Sequence, residues 1–422
     1  MVYAIASMYQ STQMLLGTAV ITATIGVHQG SPTSCFLFTL IVNDLIRNIK
    51  QKCLPDSFLG WLHLFMLMDD TVILATSRQR AMEKIDILME FCSTSGMALN
   101  SKKTQFIVIN GTEADLLPFC HGSVTISNCT SYTYLGSPFT QDGKLMSAIK
   151  IHCNSKLSHV LKFDAFIRKN TDIPFPIKLK VLEAAVISTV LYGCESWLSS
   201  MAITSANTAY MACVKTLLGV RKTTPADLCL IEIGLPSVME RVTETQRRCF
   251  TKLLSERAHL SDDPFMHVWS LASEANTPCA RHVKSLLNNG TKQYREELEA
   301  KVHGSLKSRY VTYLSDMNPH MTVHPMYKET TVKEHERIAT TRVRLSSHNM
   351  AIERGRWSRI PRENRLCSCG SIQSENHIIS ECRVTAARRS PHPNVTFNLP
   401  DFFSEEPAVV TQLCTLLTKE YL

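Results

Sequence analysis

The sequence predicts an α+β chain: an antiparallel sheet with helices comes first, a mainly helical region follows, and a small metal-held module stands near the C-terminus. Three observations carry the prediction. Short apolar runs of strand length, punctuated by Gly, Asp and Ser, fill the first third of the chain. Beyond Lys144 the apolar residues fall at helical spacing. Cys367, Cys369, His377 and Cys382 then bring three thiols and an imidazole into one short stretch.

In chain order, Met14 to Thr24 is apolar and β-branched, as a strand or hairpin arm would be. The Gly-containing loop from Gly26 ends in Ser31 and Pro32, residues that favour a helix start, and Phe36, Leu37, Leu40, Ile41, Leu45 and Ile49 predict a helix over Thr33 to Ile49. Leu64 to Met68 and Val72 to Ala75 are too short for helices and read as a hairpin with Asp69 and Asp70 at its turn. A helix follows over Ser77 to Ser95, ended by Gly96. Lys102 and Lys103 lead into a strand, Gln105 to Ile109, placed beside the hairpin, and Gln141-Asp142-Gly143 carries a hairpin-turn signal. Helical periodicity then covers Ser147 to Arg168, Pro176 to Leu198, Ile203 to Leu218, Glu240 to Glu256, Thr291 to Leu314 and Ala408 to Leu417, with polar joints at Ser261 to Pro264 and Asn276 to Pro278.

The chain has 422 residues, 44% hydrophobic and 19% charged, which excludes a disordered polymer and allows two or three domains. Its net charge of +8 leans toward a polyanionic partner. Fifteen cysteines are scattered through a long chain without an export-type opening, so reduced thiols in cytoplasm or nucleus are expected. Apolar stretches such as Cys35 to Val42 fall short of the roughly 20 residues a membrane-spanning helix needs, so no membrane partner is expected.

Asp69-Asp70 admits two readings. Asp is common in tight turns because its side chain bonds nearby backbone. Two adjacent carboxylates beside an apolar wall are, however, disfavoured unless a cation offsets them, and Mg²⁺ takes one or two protein carboxylates together with substrate phosphates.

Four motifs in order resemble the reverse transcriptase of a non-LTR, LINE-like retrotransposon. Gln29-Gly30-Ser31-Pro32-Thr33-Ser34 is similar to that family's QGxPxS loop and helix, Met68-Asp69-Asp70 to its xDD hairpin, Gly96, Asn100, Lys103 and Thr104 to its GxxxNxxKT segment, and Tyr134-Leu135-Gly136 to its YLG element. The resemblance implies a partial palm over residues 1–143, a thumb-like helical region over 144–235, a helical connecting region over 236–340, and an Arg-rich segment with a CCHC zinc knuckle and tail over 341–422. It implies RNA-directed DNA polymerisation on an RNA template with a DNA primer or target, through two Mg²⁺ ions that stabilise the attacking and leaving oxygens. Asp69 is then the principal Mg²⁺ ligand and Asp70 the second. Gln29 and Gly30 would lie by template and nucleotide, and Lys103 would contact phosphate or donate a proton to pyrophosphate.

The sequence also departs from that pattern. The family's palm carries a further metal-binding Asp before the QGxPxS loop, and the first acidic residue here is Asp44, inside the helix after it. The chain is therefore expected to begin in mid-palm and not to polymerise DNA alone. The alternative is a non-catalytic, nucleic-acid-binding zinc-knuckle remnant.

Arginines at 337, 342, 344, 354, 356, 359, 362 and 365 surround Trp357. Arg354, Arg356 and Trp357 suit a single strand, through phosphate contact and base stacking; a solvated helix face is the alternative. Cys367, Cys369, His377 and Cys382, spaced C-x-C-x7-H-x4-C, fill all four positions of a structural Zn²⁺ site.

Overall fold

The computed structural model describes residue 7 and residues 12–23, 31–56, 60–197, 203–260, 263–288 and 294–421. It divides into two compact units, Met1–Lys144 and Leu145–Leu422.

In the first unit β1 (Thr12–Leu16) and β2 (Ala19–Ala23) form a hairpin. Gln29 and Gly30 lie outside the described residues. Helix α1 (Pro32–Lys52) starts at Ser31, whose backbone is extended, with Pro32 at its first position, and runs three residues past the expected end. β3 (Leu64–Leu67) and β4 (Asp70–Ile73) pair antiparallel, and α2 (Arg78–Thr94) is capped by the Ser77 hydroxyl accepting from the Arg80 amide. Leu45 and Ile49 of α1 pack on Ile87 and Phe91 of α2, and Leu64 and Met66 of β3 join them, so the hairpin rests on a helix pair.

The strand expected over Gln105 to Ile109 is shorter. β5 (Gln105–Phe106) pairs parallel with β7 (Val124–Asn128), which also holds β6 (Phe119–His121). The chain turns away at Asn110, whose φ is +59°, and β3 and β4 stand as a two-stranded sheet without β5. β8 (Ser131–Tyr134) and β9 (Ser137–Thr140) form the next hairpin. Its loop is Leu135-Gly136, both at positive φ as a primed turn demands, whereas Gln141-Asp142-Gly143 makes the turn after β9.

Behind the β3–β4 hairpin lies a buried charge. Lys84 of α2 donates to Asp56 Oδ2 (3.0 Å) and to the Leu74 carbonyl (2.6 Å), and Thr76 donates to Asp56 Oδ1 (2.6 Å). Burial pushes the Asp56 carboxyl up, but the Thr76 and Lys84 bonds outweigh it and hold it below its ordinary value. Its stabilisation is thus present above the ordinary carboxylate range and is lost as pH falls through the lowered folded value. Lys84→Met strands a buried carboxylate and is expected to destabilise this unit by about 3–5 kcal/mol in urea denaturation. A loss under about 1 kcal/mol, the ordinary worth of an exposed pair, would contradict that.

The second unit is helical around one hydrophobic cluster that reaches from Ile149 to Leu417. The helix expected over Ser147 to Arg168 is two, α3 (Leu145–Ser155) and α4 (Leu157–Lys169). At the junction the Lys156 amide bonds the Cys153 carbonyl (3.1 Å) rather than that of His152, which tightens the turn, and Ser155 Oγ donates to the His152 carbonyl (2.7 Å). α5 (Phe175–Val181) widens into a π turn over Leu182–Ile187 and ends with Ser188–Val190, before Gly193 at φ +73° turns the chain. α6 (Thr204–Leu218) stops at Gly219, φ +69°, as its sequence predicts.

α7 (Ala226–Ile233) and α8 (Val238–Arg257) follow, the latter with a Ser237–Glu240 capping box. α9 (Pro264–Glu274) lies between the two polar joints and α10 (Pro278–Asn288) follows the second. The helix expected over Thr291 to Leu314 is α11 (Tyr294–His303) and α12 (Ser308–Thr312), separated at Gly304. α13 (Glu334–Arg344), α14 (Ala351–Trp357) and α15 (Pro407–Thr418) complete the unit. All fifteen cysteines are free thiols, and among the described residues no helix is long and apolar enough to cross a membrane.

Candidate metal and nucleic-acid sites

The β3–β4 pairing sets Leu67 opposite Asp70, so the loop is Met68-Asp69 and Asp70 is the first residue of β4 rather than a turn residue. Met68 sits at φ +54°, a region costly for a residue with a β-carbon, as a two-residue primed turn requires at its first position. Both aspartates are exposed, and no described basic side chain pairs with either. They are thus available to a cation. Among the described residues no third carboxylate, His or Cys groups with them.

Two tyrosines of β8, two positions apart and so on one face of the strand, converge on this site. Tyr134 Oη donates to the Asp70 carbonyl and Tyr132 Oη to the Lys103 carbonyl, each at 3.4 Å. Burial and the Asp70 charge push the Tyr134 phenol up. Lys103 lies exposed in a turn that Asn100 builds, its Oδ1 accepting from the Lys103 amide (3.3 Å). β8 therefore ties the Asp70 strand to the Lys103 turn, a link that sequence reading missed although the alternation Tyr-Thr-Tyr was its signal.

The second unit assembles the four thiol and imidazole groups. Their ligand atoms lie within 4.8 Å of one another, with Cys367 Sγ to Cys382 Sγ at 3.7 Å, Cys382 Sγ to Cys369 Sγ at 3.9 Å and Cys369 Sγ to His377 Nε2 at 3.1 Å. Ligands of one tetrahedral Zn²⁺ stand roughly 3.5–3.8 Å apart, so the set fits that ion. Cys367 and Cys369 sit in a tight turn closed by the Cys367 amide on the Ser371 carbonyl (2.7 Å), with Gly370 at φ +91°. His377 opens a short turn of helix that runs to Glu381, and its Nδ1 is 3.8 Å from the Glu381 carboxylate, the place of a group that orients a metal-bound imidazole.

Charge and packing at the cluster agree. Burial pushes the Cys367 thiol up, but the Cys369 amide and hydrogen bonds from His377, Cys382 and Cys369 outweigh it and bring it down to about 6. Cys382 is pushed up by burial and by Cys367. Arg389 grips the ligand loop through the Ile378, Ile379 and Cys382 carbonyls and the Thr385 hydroxyl. Glu375, buried, accepts from Ser346 Oγ and His348 Nε2, each at 2.9 Å. Burial pushes its carboxyl up, yet His348 and these bonds hold it at about 2.

The Arg-rich run divides sharply. Arg344 is buried in a bidentate pair with Glu232 (2.5 and 3.1 Å), and Arg337 is buried against Glu334 (2.9 Å). Arg342 bonds the Gly219 carbonyl, Arg356 pairs with Glu353, and Arg365 takes the Ile352 and Ile360 carbonyls. Arg354, Arg359 and Arg362 are exposed, and none has a side-chain partner among the described residues. Trp357 is 53% exposed, and the Arg221 guanidinium lies over its ring at 4.4 Å. No sequence signal pointed to Arg221, which comes from the turn after α6.

Residues 3–139 match the family described as reverse transcriptase (RNA-dependent DNA polymerase). Among curated proteins, the chain is 28% identical over 129 residues to the retrovirus-related Pol polyprotein from type-2 retrotransposable element R2DM of Drosophila melanogaster. That match covers 28% of this chain and 12% of the relative. No solved structure matches the chain.

Proposed function

We propose, from the match of residues 3–139 to the reverse transcriptase family and the likeness to a type-2 retrotransposable element's Pol polyprotein, that the chain serves RNA-directed DNA synthesis of the non-LTR retrotransposon type, with a divalent cation held at Asp69 and Asp70. The observation that carries this proposal is the hairpin: two exposed carboxylates, Asp69 in the two-residue turn and Asp70 opening β4, unpaired among the described residues and tied through Tyr134 and Tyr132 to the Lys103 segment. A cation bound there would stabilise the attacking and leaving oxygens of an in-line phosphoryl transfer. Lys103 would meet phosphate, and Gln29 and Gly30 would approach template and nucleotide. RNA template and DNA primer or target are the partners, in cytoplasm or nucleus. The Cys367, Cys369, His377 and Cys382 set takes Zn²⁺ in a structural role, since all four positions are filled by protein.

Two carboxylates are fewer than a two-metal centre uses, so this chain alone is expected to bind an RNA template–DNA primer hybrid without extending it. One observation also favours a non-catalytic, nucleic-acid-binding chain: four ligands gather at Cys367, Cys369, His377 and Cys382, whereas among the described residues no further ligand groups with Asp69 and Asp70. Primer extension with Mg²⁺ and purified chain tests both. Incorporation would overturn the incompleteness. Failure to hold the hybrid would overturn the nucleic-acid role.

A further inference from the structure

We propose that Trp357, backed by Arg221, is a one-sided stacking platform for a base of single-stranded nucleic acid, with Arg354, Arg359 and Arg362 contacting the flanking phosphates. This rests on the nucleic-acid role above and assigns it a site in the second unit. The Arg221 guanidinium covers one face of the indole at 4.4 Å, while the side chain keeps 53% of its surface open. Arg221 is itself held in place: its amide bonds Ser347 Oγ (2.9 Å) and its Nη2 bonds Asn349 Oδ1. A ring fixed in this way loses little freedom when a base stacks on it, and every base offers a π-face, so the platform is tolerant of sequence.

The charges around the ring sort in favour of phosphate. Glu353, the acidic residue of α14, is buried and already paired with Arg309 (2.6 Å) and Arg356 (2.5 Å), so the helix itself offers no free carboxylate beside the ring. Arg354 stands one helical turn before Trp357, and so on the same face of α14. Arg359 follows just after the helix in a left-handed conformation, φ +52°, and Arg362 comes next. All three guanidinium groups are exposed without a partner among the described residues, unlike the arginines of the same run that are spent on Glu232, Glu334, Glu353 and backbone carbonyls. A duplex, whose bases are already stacked, offers this ring nothing.

The test is fluorescence anisotropy with the full chain and four labelled probes: oligo(U), oligo(dT), an abasic strand of equal length and a blunt duplex. Trp357→Ala is expected to weaken oligo(U) and oligo(dT) about tenfold, within the range for one stacked base, and to leave the abasic strand unchanged; Trp357→Phe restores most of the loss. Arg221→Met gives a smaller loss confined to the base-bearing strands. Arg354→Gln with Arg359→Gln and Arg362→Gln weakens every probe and reduces the salt slope by about 0.7 for each single-strand phosphate contact removed. Circular dichroism melts confirm that each variant is folded.

An equal loss on the abasic strand, or no loss on oligo(U), overturns the platform while the nucleic-acid role stands. Wild-type chain that binds none of the probes overturns both.

Discussion

Replacing Cys382 by Ser is expected to take bound zinc from one ion per chain to a trace and to destabilise the second unit by 5 kcal/mol or more, on the order of a third of the ~10–16 kcal/mol a structural zinc contributes in small peptides. The thiol is fully buried in the same hydrophobic cluster as Ile378, Ile379, Leu413 and Cys414, so the ligand set forms part of the core. Losing the ion would leave Cys367, Cys369 and His377 as buried or half-buried polar groups without their common partner, and would free the Cys367–Ser371 turn and the His377–Glu381 turn from each other. Cys414→Ser is the control, because Cys414 is as buried and in the same cluster but lies outside the ligand set. Metal analysis should read full zinc in Cys414→Ser and nearly none in Cys382→Ser. Equal zinc in the two variants would remove the metal site.

The second large effect is expected at Arg344, where Arg344→Met should cost about 3–5 kcal/mol in a denaturant titration of the chain. Glu232 is buried at 0% exposure, and its two oxygens receive Arg344 Nε (2.5 Å) and Nη2 (3.1 Å), Tyr313 Oη (2.8 Å) and Tyr327 Oη (3.1 Å). Met keeps the bulk of the stem but removes the only cation that, among the described residues, pairs with that carboxylate. Burial already pushes both phenols well above their ordinary value, with the Glu232 charge adding to it, so the tyrosines cannot take over the arginine's role. The double change Arg344→Met with Glu232→Gln should recover part of the loss, since a buried pair replaced as a whole costs far less than a pair broken. A single-variant loss below about 1 kcal/mol would mean that water reaches the carboxylate. Nucleic-acid affinity of the folded Arg344→Met chain should equal that of the wild type, because this guanidinium faces the core.

Arg344 also marks where sequence reading runs out. Its run of arginines is visible in the sequence, but that Arg344 faces inward depends on Glu232, a partner set by how α13 packs on the rest of the unit and encoded by no local pattern, whereas Arg337 meets Glu334 within α13 itself. The Arg221–Trp357 stack is more remote still, since its two members are far apart in the chain and each looks ordinary alone.

What could be read is what is decided locally. Ser31-Pro32 through backbone conformation, Ser77 through a capping bond and Gly219 through its positive φ mark helix ends within one turn, and the helices start or stop where these residues predict. The Asp69-Asp70 hairpin and the Cys367–Cys382 ligand spacing are local in the same sense, and the structure brings each together. Strand partners are not local. β5 chose β7 over the hairpin, and β8 closes on β9 through Leu135-Gly136, while Gln141-Asp142-Gly143 turns the chain after β9. The break at Lys156 is a local change of its amide from the fourth to the third preceding carbonyl, which helical periodicity does not register.

The claim that the hairpin is a cation site is tested most directly by counting ions. With the chain bound to an RNA template–DNA primer hybrid, a Mn²⁺ titration read by electron paramagnetic resonance should show at least one more bound ion for the wild type than for Asp69→Asn with Asp70→Asn, whose side chains are exposed and whose loss should leave the fold intact. Equal Mn²⁺ binding by the two chains would contradict the assignment of Asp69 and Asp70 as metal ligands.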